Sequence, residues 1–191
     1  MTPTNLPIVW KSKANASEYE RARVGRVFNY RRPNRFPVAI VEAASEDDIV
    51  EAVKLAKQLE ARVSVRSGGH SWAAWSVRDN AVLVDLGNLN HVHLDENTNI
   101  VTASPSSTGR ILNGYLGSKG RIFPGGHCPD VGIGGFLLQG GMGWNCRVST
   151  NKCPNVVSDE HITDVDTELG MGLQLCKSHR CRNRRREETA L

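Results

Sequence analysis

No window of this 191-residue chain approaches a membrane-spanning run; such a helix needs roughly 18 consecutive apolar residues, so the sequence predicts no span. The start, MTPTNLPIVWKSKANASEYE, lacks a basic stretch followed by an apolar one, so no secretory leader is expected and the cytoplasm is the default location. Cysteine is scarce: five residues, at 128, 146, 153, 176 and 181. An odd number without a leader argues against a disulfide framework. Excess charge is small, with 24 Lys+Arg against 20 Asp+Glu for a net +4, so nothing in the balance demands a nucleic-acid partner. No internal repeat or low-complexity tract occurs, which sets aside repeat arrays.

What is present suits a soluble domain with a real core. PVAIVE, residues 37–42, is an apolar run of strand length. SEDDIVEAVKLAKQLE follows, with Ser45 as N-cap and Glu46, Asp47 and Asp48 in the first turn, where acidic charge meets the helix dipole. Ile49, Val53, Ala56 and Leu59 recur at helical spacing and predict the buried stripe. ARVSVRSGG reads as a second strand ending in glycines, which makes the opening β-α-β and directs its loops to the strands' C-terminal ends. AVLVDLGNLNHVHLDENTNIVTASPSS reads as three strands, with a hairpin bend at Asp95-Glu96-Asn97. SSTGRILNGYLGSKG predicts a helix capped by Ser106 or Ser107, facing inward through Ile111, Leu112, Tyr115 and Leu116 and ending at Gly120.

Two glycine-rich loops concentrate the chemistry: Arg66–Ser71, within VRSGGHSW, and Gly125–Gly143. Glycines there permit left-handed backbone angles and close approach of a ligand to the main chain. Runs of unhindered N–H groups form anion-binding concavities of the kind a pyrophosphate takes. Neither loop continues into Gly-Lys-Ser/Thr or has the spacing of a nicotinamide site, so both of those phosphate motifs are excluded.

PVAIVEAASEDDI, RSGGHS, GGHCPDVGIGG and QGGMGW occur in an order that resembles the berberine-bridge-enzyme-like flavoproteins of the vanillyl-alcohol-oxidase superfamily. The resemblance covers about residues 27 to 147 and implies an α+β fold, the PCMH-type FAD-binding domain, with FAD as cofactor. The implied first subdomain is βαβ plus antiparallel strands, with the second subdomain missing. It implies that His70 is joined through its ring to the 8α-methyl of the flavin and Cys128 to carbon six of the same ring. Arg66, Ser67, Gly68, Gly69, His70 and Ser71 then form one wall of the cofactor site, with backbone amides of the loop on the pyrophosphate. Gly126, Cys128, Val131, Gly132, Gly134 and Gly135 form the other, and no metal is implied. His70 has to be neutral and Cys128 a thiolate to attack. The implied activity is hydride transfer from an alcohol-type carbon to the flavin and on to dioxygen, with a small-molecule substrate, no nucleic acid and no membrane.

Other residues carry plainer readings. His127 either helps deprotonate Cys128 or faces solvent, and His91 and His93 alternate on a strand and share one side without a role. Trp72, Trp75 and Trp144 read as packing residues. Gln139 stands where relatives often have glycine, a departure that does not exclude FAD.

The organisation expected is a lead-in over 1–32, the FAD-binding domain over 33–147 and an aberrant, disordered tail over 148–191. The tail has none of the substrate domain or catalytic base of such oxidases, which implies that this chain alone is inactive. A non-catalytic fragment is therefore the alternative reading. The tail is compatible in codon terms with an unspliced intron over about 148–170 followed by out-of-frame translation. Cys153, His161, Cys176, His179 and Cys181 match no common zinc spacing. Glu187 and Glu188 blunt the arginine run as a nucleic-acid arm, so a metal or nucleic-acid module is the weakest alternative.

Overall fold

The structure is a computed structural model that describes residues 6–139, Gly141 and, as backbone, 171–174. It is a mixed α/β fold in two compact units, residues 1–89 and 90–191.

The first unit holds a four-stranded sheet. The sequence predicts three of its strands, the third being AVLVD, and the helix between the first two: β2 (Ala39–Glu42), α2 (Glu46–Gln58) and β3 (Arg62–Arg66). The first two strands are not neighbours, because β4 (Ala81–Asp85) lies between them and pairs in parallel with both. Two elements in the region read only as a lead-in belong to this unit: β1 (Ile8–Trp10), antiparallel on the outer edge of β2, and α1 (Ala16–Val24).

Both faces of the central strands are covered, which is why PVAIVE and AVLVD read as unbroken apolar runs rather than as alternation. Val41, Val82 and Val84 pack under Ala52 and Ala56 of α2, while Ile40 and Leu83 pack under Tyr19 and Ala22 of α1. Ser45 caps α2 as expected, and its partner in a reciprocal capping box is Asp48. The predicted inward stripe is corrected. Ala52, Leu55 and Ala56 are buried, whereas Val53 is 49% and Leu59 43% exposed. Ala56 holds its predicted place and Ile49 packs against the same cluster, so the stripe runs through Ile49, Ala52, Leu55 and Ala56, one face of the 3.6-residue period, and only Val53 and Leu59 lie off it.

Tyr19 locks α1 to the sheet by donating its hydroxyl to Pro37 O at 2.7 Å. Burial, partly opposed by Arg23, pushes its phenol from 10.0 up to about 12. A raised folded-state value means that this stabilisation is complete below pH 10 and is lost as pH climbs towards 12. Urea denaturation at stepped alkaline pH should show that loss in the wild type. Tyr19→Phe should lack this component, at a cost near neutrality of about 1 kcal/mol for the missing hydrogen bond.

The second unit pairs β5 (Val92–Asp95), β6 (Ile100–Ala103) and β7 (Met171–Gln174) antiparallel in that order. The hairpin bend falls where the sequence places it. Asp95 Oδ1 accepts the Asn97 amide at 2.9 Å and Oδ2 accepts the Thr98 hydroxyl at 2.8 Å. Helix α3 (Gly109–Gly117) is capped by Thr108, whose hydroxyl accepts from Ile111 N, in place of the serines expected. Ser106 and Ser107 are buried instead, Ser107 O accepting from Ile133 N at 2.9 Å. Leu112 and Leu116 face the core, Tyr115 packs at its margin, and Ile111 is exposed. Gly120, at φ +65°, closes the helix end, with Arg121 N donating to Leu116 O. A short helix, α4 (Ile133–Leu138), completes the unit. Of the expected disordered tail, 171–174 form β7, and the remainder lies outside the described residues. No helix among the described residues is long and apolar enough to cross a membrane.

Candidate cofactor site

The three parallel strands end in register at Glu42, Asp85 and Arg66, all on the α1 side of the sheet. Two of these groups are almost inaccessible, Arg66 at 1% and Asp85 at 3% exposure. Arg66 donates from Nε and Nη2 to Asp85 Oδ2 at 3.0 and 2.5 Å. Its guanidinium also reaches Ala22 O at 2.5 Å and Arg23 O at 2.7 Å, carbonyls of the last turn of α1 that would otherwise lack donors. Asp85 Oδ1 takes Arg26 Nη1 and the Gly87 amide. The pair is thus paired and hydrogen-bonded, the condition for holding two charges out of water. At the neighbouring strand end Arg21 binds both oxygens of Glu42, at 2.9 and 2.8 Å, and these hydrogen bonds hold the Glu42 carboxyl below its ordinary range.

Directly after Arg66 the chain turns into the first glycine loop. Gly69 sits at φ +70°, and a Cβ there would stand 2.0 Å from Arg26 O, so backbone angle and close approach both require glycine. Residues 26–35 brace the loop from outside. Arg26 Nη2 donates to Ser67 O at 2.6 Å, Phe28 N to Gly69 O at 3.2 Å, and Asn29 Nδ2 to Trp72 O at 3.0 Å. Arg35 Nη2 holds Ala73 O and Ala74 O at 2.6 and 2.9 Å. The His70 ring stacks on Phe28, centroids 3.9 Å apart and planes 12° apart, with Trp72 edge-on to the same phenyl at 5.8 Å. Trp72 and Trp75 are exposed, so of the core or loop packing expected of them only loop packing is seen, Trp72 on Phe28 and Trp75 under Arg35 and Arg78.

Of the first loop's predicted members, Arg66 turns its side chain to Asp85 and α1. The amides of Ser67, Gly68, Gly69 and Ser71 donate to no acceptor among the described residues. Ser71 turns inward, accepting Ala74 N at its carbonyl and Trp75 N at its hydroxyl.

In the second unit, Cys128 is an exposed free thiol at the start of a turn closed by Val131 N to Cys128 O at 3.2 Å. Arg110 grips both oxygens of Asp130 at 2.8 and 3.0 Å. That carboxylate, with a smaller share from Cys128, holds the guanidinium above its ordinary value. His127 is exposed. Gly132 caps α4, and Gly135 has open space where its Cβ would be. Gly134 is buried and gives its amide to Pro105 O at 2.8 Å, so it packs the helix and offers no donor. A Cβ on Gly126 would meet Val131 at 3.4 Å, an ordinary contact. His91 and His93 do share one side, ring centroids 6.4 Å apart. Gly143, Trp144 and the cysteines and histidines of the tail lie outside the described residues.

Residues 37–168 match the FAD binding domain family. The chain belongs to that family. An FAD-linked oxidoreductase of Hypoxylon pulicicidum is 47% identical over 161 residues, 84% of this chain and 34% of that protein. Among solved structures, BBE-like 1 of Physcomitrella patens superposes with a TM-score of 0.62 at 26% identity, covering 70% of this chain and 28% of its own. The xylooligosaccharide oxidase of Myceliophthora thermophila, in complex with xylobiose, does so with a TM-score of 0.59 at 31% identity, covering 69% and 27%. This FAD-binding chain spans about a third of the length of the curated relatives it matches. Its first loop fits the cofactor: amides without acceptors among the described residues, beside a left-handed glycine, suit a phosphate-bearing group.

The bracing segment, RVFNYRRPNR, is the part the sequence reading missed. The signal available was its run of arginines ahead of the first predicted strand, dense for a mere lead-in.

Proposed function

We propose that this chain carries the covalently attached FAD of an oxidase that takes a hydride from an alcohol-type carbon and passes the electrons to dioxygen. The observation that supports the reading is the first loop, where four amides without acceptors among the described residues flank His70. The sugar-oxidising relative supports the substrate class. His70 is the attachment point to the flavin methyl group. One methyl C–H bond and the imidazole N–H are lost and one C–N bond forms. The two hydrogens with their two electrons leave to dioxygen as hydrogen peroxide. Cys128, an exposed thiol, is the second attachment point: its S–H and the C–H of ring carbon six are lost as one C–S bond forms, and those two hydrogens with their two electrons also leave to dioxygen as hydrogen peroxide. When bound, FAD supplies the two-electron chemistry; the protein binds, orients and tunes it. No catalytic base is assigned among the described residues.

The purified chain should stay yellow after acid precipitation, and a proteolytic peptide containing His70 should carry the mass of one FAD. His70→Ala should move all acid-stable flavin to the Cys128 peptide, and His70→Ala with Cys128→Ala should release it completely. Colour extracted by acid from the wild type, or retained by the double variant, refutes the assignment.

A further inference from the structure

We infer that Phe28 is a positioning residue for flavin attachment, acting through the His70 imidazole. This rests on His70 being the attachment point. A histidine side chain has two torsions, and C–N bond formation needs one ring orientation. Here the ring lies flat on Phe28, 3.9 Å away and 12° from parallel. Face-to-face stacking blocks the ring's broad side and its rotation, and keeps the phenyl itself clear of the ring plane. The lone pair that makes the bond lies in that plane.

Phe28 is itself held in three ways. Its amide donates to Gly69 O, the residue before His70. Arg26, two residues earlier, makes the tight backbone approach to Gly69 and grips Ser67 O. Trp72 meets the other side of the contact edge-on, at 73°. Segment and loop therefore move as one piece, and the phenyl orients the imidazole relative to the amides of 67–69. Phe28 is not required for the loop's backbone hydrogen bond, which any residue with an N–H can make, so its side chain has a separate role.

The test measures flavin on the His70 peptide against time after FAD is added to flavin-free chain, with non-covalent FAD affinity read in parallel on the His70→Ala, Cys128→Ala background. Phe28→Leu keeps apolar bulk and removes the flat face; attachment should slow about tenfold, the upper range for an aromatic pair, while affinity changes less than twofold. Phe28→Tyr should restore the rate. Independently of any variant's folding, the carbon-bound ring protons of His70 in the wild type should show an upfield ring-current shift. Attachment by Phe28→Leu at the wild-type rate, or His70 protons at unstacked positions, overturns the inference while leaving His70 as the attachment point. Absence of acid-stable flavin in the wild type overturns the underlying reading and this inference with it.

Discussion

Asp85→Ala is expected to destabilise the chain by about 3–5 kcal/mol, because it leaves the Arg66 guanidinium buried without its counter-charge. With Arg66 and Asp85 at 1% and 3% exposure, water cannot replace the lost partner. The same substitution frees Arg26, which Asp85 also holds, and strips the Gly87 amide of its acceptor. Arg66→Met combined with Asp85→Leu should recover only part of the loss. It removes the charges, but Ala22 O and Arg23 O at the end of α1 then lose their donors. Urea denaturation of the single and double variants reads both effects. A cost below about 1 kcal/mol for Asp85→Ala would mean that the pair is solvated and not part of the core.

Gly69→Ala should damage the loop more selectively. A left-handed φ costs a non-glycine residue about 1–3 kcal/mol, and the added methyl meets a backbone carbonyl at 2.0 Å, which cannot be relieved by a rotamer change. The loop has to part from Arg26, the Phe28 amide bond to Gly69 is lost, and His70 is carried away from its stack. Flavin on the His70 peptide should fall at least about 100-fold, two powers of ten or about 2.7 kcal/mol, within the strain expected. Gly135→Ala is the informative comparison for stability. Its Cβ enters open space and alanine favours a helix, so the melting temperature should not fall. Equal stability losses for the two glycine substitutions would show that the crowding at Gly69 is not what matters.

Much of the first unit was legible because the signals are local. Ser45 followed by three acidic residues states a helix start in consecutive letters, and the structure answers with a capping box. Asp95 builds the bend at its own hairpin. The errors share one cause. The stripe of α2 and the cap of α3 were chosen by hydrophobicity and residue type, whereas the partner surface decides both. A flat sheet admits Ala52 and Ala56 and excludes Val53, and the burial of Ser106 and Ser107 leaves Thr108 to cap. Arg66 shows the same limit within the site. Its position at the head of the loop is plain from the letters, but nothing there reveals that its guanidinium turns inward to Asp85, 19 residues on.

By itself the sequence determined where the backbone has to be bare and where it turns, hence the loops and their order, because glycine's conformational freedom belongs to the residue and its immediate neighbours; the cofactor came from the family that the ordered motifs resemble. Only the tertiary structure decided what holds the first loop in place. Arg26 and Phe28 reach Ser67 and Gly69 across some forty residues of chain, and Asp85 completes the cluster from another strand. Such contacts depend on which strands pair and in what register, and a guanidinium is either a solvated charge or a buried brace according to what stands opposite it.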